Sequence, residues 1–272
     1  MRKEIILPAV AVVCGGAGYA LRRWELATAF EAGTGLPISG APATLALAGF
    51  SAAAAVLLAL LCRGNYPVMS GYGPAFRAKG NTLYAVMGTI AAFLLLAGGG
   101  LMLAGPALGE ELVFTRLIAG AMALAAGLCV AVTVRDNYRG AEVQRYSFRL
   151  LIPAYAFCVW LIAAYQVRAG DPVRLDYVYE LFGIIASLLG LYCTASFSFE
   201  RGRVFPTCLF SLLGVYFSLV TLADAHDLAT VLLYAFSIVY LLTSTVTLLF
   251  NAARGGAPAR DEKETTEGTR DA

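Results

Sequence analysis

The chain has 272 residues, 59% of them hydrophobic and only 14% charged, with a net charge of +2. Soluble domains carry about 25% charged residues, so this composition excludes an ordinary soluble enzyme or binding module. The small net charge, with basic residues scattered over loops rather than interleaved with aromatics, argues against a nucleic-acid partner.

A hydrocarbon core about 30 Å thick takes roughly 20 apolar residues per helical span. Runs of that order are predicted as spans at 5–21, 43–62, 82–104, 113–134, 149–167, 175–198, 204–223 and 228–250. None alternates like a barrel strand, and unpaired backbone is too costly in lipid for anything but helix. The expected fold is an all-α polytopic transmembrane bundle of about eight spans in one domain, 1–253, followed by a tail.

The first span follows Met1-Arg2-Lys3. Gly18-Tyr19-Ala20 would suit a signal-peptide cleavage site, but the long apolar run with Arg22-Arg23 directly behind it favours a retained span. The segment 22–42 is then the longest outer loop, with Trp24, Glu25 and Glu31 placed to fold onto the membrane surface and cover a site. The segment 63–81 is an inner loop rich in Gly, Pro and Tyr. Late in the third span stands Gly98-Gly99-Gly100, which fits either a broken helix of the transporter kind or a closely packed helix end.

Glu110 and Glu111 precede the fourth span and suit its positive N-terminal dipole. Ala119, Ala123 and Gly127 form a stripe of small residues on that span, a device for close helix packing. The basic loop 135–148 is placed to touch anionic lipid headgroups. Tyr165 and Gln166 close the fifth span. Glu180 falls about one turn inside the sixth, with Tyr177 at i−3 and Asp176 at i−4 on the same helix face. An acid inside a span faces the bundle interior or a water-filled cavity, and Arg116 is the expected counter-ion. Asp224-Ala225-His226-Asp227 separates the last two spans and holds the only histidine. From Arg254 the composition turns charged and small, predicting a disordered cytoplasmic tail over 254–272. The halves 1–134 and 149–252 would each hold four spans, which suggests a parallel duplication without residue-level similarity.

Loop charge sets the orientation. With the N-terminus inside, the inner segments hold 15 of the 20 basic residues, while the 18 acids divide nine and nine. Both termini are therefore expected to be cytoplasmic. The six cysteines lie in or beside spans with no C-x-x-C pair, as small buried hydrophobes do. No phosphate-binding P-loop, dinucleotide motif, nucleophile elbow or paired histidines occur, so no cofactor or metal site is expected.

Two stretches, RRWELATAFEAGTGLPISGAPAT (22–44) and AYQVRAGDPVRLDYVYELFGIIASLLGLYCTASFSFERGR (164–203), resemble multi-span membrane proteins of anaerobic Gram-positive bacteria. That group has no activity attached to it. The resemblance implies a bacterial cytoplasmic membrane and transfers no residue role.

Three functional readings follow. The first is a small-molecule transporter or solute-binding membrane component, with an outward-facing site at Glu180, Arg116, Gln166, Asp176, Tyr177 and Trp24. The second is a non-catalytic subunit or scaffold of a membrane complex, supported by the small-residue stripe. The third, an outer-face enzyme acting on lipid or envelope material, has only the acidic outer loops to offer. The expected partners are membrane lipids with either a small ligand or a partner subunit.

Overall fold

Apolar runs of this length satisfy their backbone in lipid only as helices, and helices fill the structure. The computed structural model describes residues 3–31, 33–69, 71–108, 113–140, 147–168 and 177–255. Among them lie α1 (Lys3–Thr28), α2 (Pro42–Cys62), the single turn α3 (Tyr72–Ala75), α4 (Thr82–Ala104) and α5 (Phe114–Arg139). There follow α6 (Ile152–Arg168), α7 (Val178–Ser196), α8 (Val204–Thr221) and α9 (Leu228–Gly255). Eight of these helices, all but α3, are long and apolar enough to cross a membrane, and no strand is found among the described residues beyond one isolated Phe30–Pro37 bridge. This is an integral, multi-pass, all-α membrane protein.

α8 and α9 form the centre. α9 packs against α4, α8 and α1, and α8 against α7, α1 and α9. The most apolar windows of α8 and α9 are 61% and 56% buried, against 28% for α1 and α2, so the first two spans wrap the bundle from outside. The proposed duplication of halves is not repeated in packing: α7 lies along α8, whereas their counterparts α2 and α4 do not lie along one another.

α4 runs unbroken through Gly98-Gly99-Gly100, which settles the choice left open there. A Cβ on Gly99 would stand 2.8 Å from the Gly120 carbonyl oxygen and 2.9 Å from the Leu124 nitrogen, both on α5. A Cβ on Gly98 would stand 3.1 Å from the Ala229 carbonyl oxygen on α9. The glycines are therefore the floor of two helix contacts. The stripe Ala119, Ala123 and Gly127 is buried, with Ala123 against Gly99 and Gly127 against Leu96. Ala123 and Gly127 are thus taken up by the contact with α4.

The ends of the bundle are distinct. Lys3 Nζ donates to the Arg63 carbonyl at 2.7 Å, and Asn251 Nδ2 donates to the carbonyls of Ala75 and Arg77 at 2.9 and 3.1 Å. The start of α1, the 63–81 loop and the end of α9 thus share one end, called inner here after its loop charge. The 222–227 hairpin and the start of α5 lie at the other, outer end.

Helix ends depart from hydropathy alone. α1 continues to Thr28, so Arg22, Arg23, Trp24 and Glu25 are helical and not in the 22–42 loop. α5 continues to Arg139, where Gly140 at φ +71° ends it. The predicted tail lies outside the described residues from 256 on.

Candidate functional site

The outer end carries a buried charge network. Helical continuation of α1 puts Arg22 and Glu25 on one face at i, i+3, and that face turns inward against α8: the two residues are 1% and 3% exposed. Arg22 donates through Nη1 to Glu25 Oε2 at 2.6 Å and through Nε to Asp224 Oδ1 at 2.7 Å. Its guanidinium also lies 5.1 Å from the centre of the Tyr179 ring. Asp224 sits in the turn that ends α8, its backbone nitrogen donating to the Thr221 carbonyl at 2.9 Å. Burial pushes the Asp224 carboxyl above its ordinary value, and Arg22 pulls back against that rise.

The hairpin extends the network. Thr221 Oγ1 donates to Asp224 Oδ2 at 3.0 Å. His226 Nε2 lies 2.8 Å from the Thr221 carbonyl oxygen and 3.1 Å from Thr221 Oγ1. A carbonyl only accepts, so the contact with the Thr221 carbonyl calls for a donor at Nε2.

On the far side of His226 lies a cavity of about 260 Å³ lined by Arg116, Trp160, Glu180, His226, Asp227 and Thr230, among others. Arg116 Nη2 donates to Asp227 Oδ2 at 2.5 Å, joining the start of α5 to the start of α9. Glu180 is buried, in the first turn of α7. Its backbone carbonyl accepts from Tyr234 Oη at 3.2 Å, and the Trp160 ring packs on Tyr234 with centres 4.9 Å apart. Helices α5, α6, α7 and α9 therefore each contribute a wall. The cavity presents charge of both signs, a hydroxyl, an imidazole and an indole face.

The structure brings together two of the residues singled out from sequence: Glu180 and Arg116 line the same cavity. Gln166 is exposed on α6 and Tyr177 is half-buried before α7, and neither lines it. Trp24 is 45% exposed on α1 and does not cover it. Asp176 lies outside the described residues. Sequence reasoning missed Trp160, Thr230 and the Arg22–Glu25–Asp224 cluster, and it gave His226 and Asp227 no part in the site beyond separating the last two spans. The i, i+3 spacing of Arg22 and Glu25, with no helix breaker before Gly33, was the available signal for the cluster. Among the described residues no group of three His, Cys, Asp or Glu side chains is placed to hold a metal ion.

No protein-family model, no curated protein and no solved structure matches this chain. The fold and the site define an eight-span helical membrane protein with a polar cavity at one end.

Proposed function

We propose that the protein is a solute-binding membrane component of the transporter class, taking a small zwitterionic or dipolar solute into the outer cavity. The observation that carries this reading is the convergence of Arg116, Glu180 and Trp160, from three helices, and of Asp227, from the 222–227 hairpin, on one cavity. Charge inside a span is costly and gathers where a bundle encloses a polar path. At about 260 Å³ the cavity lies just below the usual range of ligand sites, which begins at about 300 Å³, and so suits a small metabolite rather than a lipid. Arg116 supplies donors for an anionic group, Glu180 and Asp227 accept from a cationic one, and Trp160 covers an apolar or cationic portion. The loop charges and the resemblance noted above support a bacterial cytoplasmic membrane with the cavity open outward.

Native mass spectrometry of the protein extracted gently from its own membrane tests the reading. A small-molecule adduct is expected on the wild type and absent from Glu180→Gln at equal thermal stability. No adduct on either protein, or one that survives both Glu180→Gln and Thr230→Val, rules the cavity out as the binding site.

A further inference from the structure

A second cavity, of about 420 Å³, lies at the inner end between the 77–81 turn and the end of α9. It is independent of the outer site. Three cations line it, Arg77, Lys79 and Arg254, and no acid does. All three are exposed, and none takes part in an ion pair among the described residues.

The backbone that carries Arg77 and Lys79 is held in place. Asn251 Nδ2 grips the carbonyls of Ala75 and Arg77, and the Gly80 nitrogen donates to the Tyr138 carbonyl at 3.0 Å, so the turn is clamped between α9 and α5. Gly80 at φ +69° supplies the left-handed residue that the turn needs. Asn81 caps α4, accepting from the Tyr84 nitrogen at 3.1 Å, and directs the positive end of that helix toward the same cavity. The Arg254 guanidinium lies 4.1 Å from the centre of the Phe250 ring. Directly toward the membrane interior, the same wall turns apolar: Val246 and Phe250 line the cavity and are 39% and 42% exposed, and Leu83 on the neighbouring first turn of α4 is 72% exposed.

We propose that this cavity binds an anionic glycerophospholipid, its phosphate held by Arg77, Lys79 and Arg254 and an acyl chain lying along Val246 and Phe250. Charge selects the headgroup. The apolar strip beside it selects a lipid over a soluble phosphate, and its place at the rim of the bundle puts both within reach of one lipid molecule.

The test uses the full chain in detergent micelles and native mass spectrometry, with added phosphatidylglycerol, phosphatidylcholine or glycerol phosphate. Phosphatidylglycerol is expected to bind, phosphatidylcholine to bind far more weakly, and glycerol phosphate not at all at the same concentration. Neutralising all three cations (Arg77→Gln, Lys79→Gln, Arg254→Gln) should weaken phosphatidylglycerol by about a hundredfold, from the roughly fivefold that each cation contributes at an anionic surface. The side chains are exposed, so the variant keeps the wild-type melting temperature. Equal binding of the two lipids, no loss in the triple variant, or glycerol phosphate binding as well as the lipid would each overturn the proposal. So would lipid binding that appears only after Asp261, Glu262, Glu264 and Glu267 are neutralised, since the acidic tail would then be the occupant.

Discussion

Arg22 is the side chain on which the outer end turns. Its five donors match two carboxylates and an aromatic face. Removing one member of such a buried set strands the others as uncompensated charge. Arg22→Met is expected to cost about 3–5 kcal/mol, read as a fall in melting temperature in detergent, because Glu25 and Asp224 lose their shared cation. Adding Glu25→Gln and Asp224→Asn to that variant should restore most of the loss, since the charges are then gone together. If the triple variant melts no higher than the single one, the network matters through shape and not charge. Sequence pattern could expose only the Arg22–Glu25 half of this set, through its i, i+3 spacing: Asp224 lies 202 residues away, and hydropathy reads Arg22 and Asp224 as loop. Glu180 was legible because its depth in an apolar run is visible in one dimension. Trp160 was not, because one aromatic in an apolar helix looks the same whether it faces lipid, core or cavity.

At the scale of elements, existence was legible and ends were not. A span is a property of summed hydropathy, which the sequence displays directly. A helix end depends on where the chain can bury or solvate its last turn. α1 carries on through Arg22 and Glu25 because the two neutralise one another and Arg22 also meets Asp224 in the hairpin after α8. α5 carries on into Arg135 and Asp136 because Asp136 meets Arg149 from the segment before α6 at 2.8 Å. The glycine run in α4 was ambiguous for a related reason, since only the neighbouring helix distinguishes a hinge from a contact. The contact makes a sharp prediction. Gly99→Leu should cost at least about 1–3 kcal/mol, the usual penalty of overpacking, because its first side-chain atom already meets α5 backbone that cannot yield. Gly100→Leu, where a Cβ would meet nothing within 4 Å, should melt close to wild type. Equal losses at both positions would point to helix flexibility, and not close packing, as the role of the run.

For the molecule as a whole, the two proposed sites divide the charge between the ends of the bundle: mixed charge in the outer cavity, cations alone in the inner one. That division gives orientation a functional meaning. A single span, α2, separates residues 33 and 73 and so places them at opposite ends of the bundle. Cysteine at either position is sterically free, since a Cβ on Gly33 or Gly73 meets nothing within 4 Å and neither glycine has a positive φ. With inner loops holding most of the basic residues, a membrane-impermeant thiol reagent applied to intact cells should modify Gly33→Cys and leave Gly73→Cys untouched until the membrane is opened. The opposite pattern would turn the molecule over. Glu180 and Arg116 would then face the cytoplasm, and the Arg77–Lys79–Arg254 cavity would meet the outer leaflet, where it would draw its lipid from a different pool. Labelling of both cysteines from outside would break the eight-span count itself, because α2 could not then separate them.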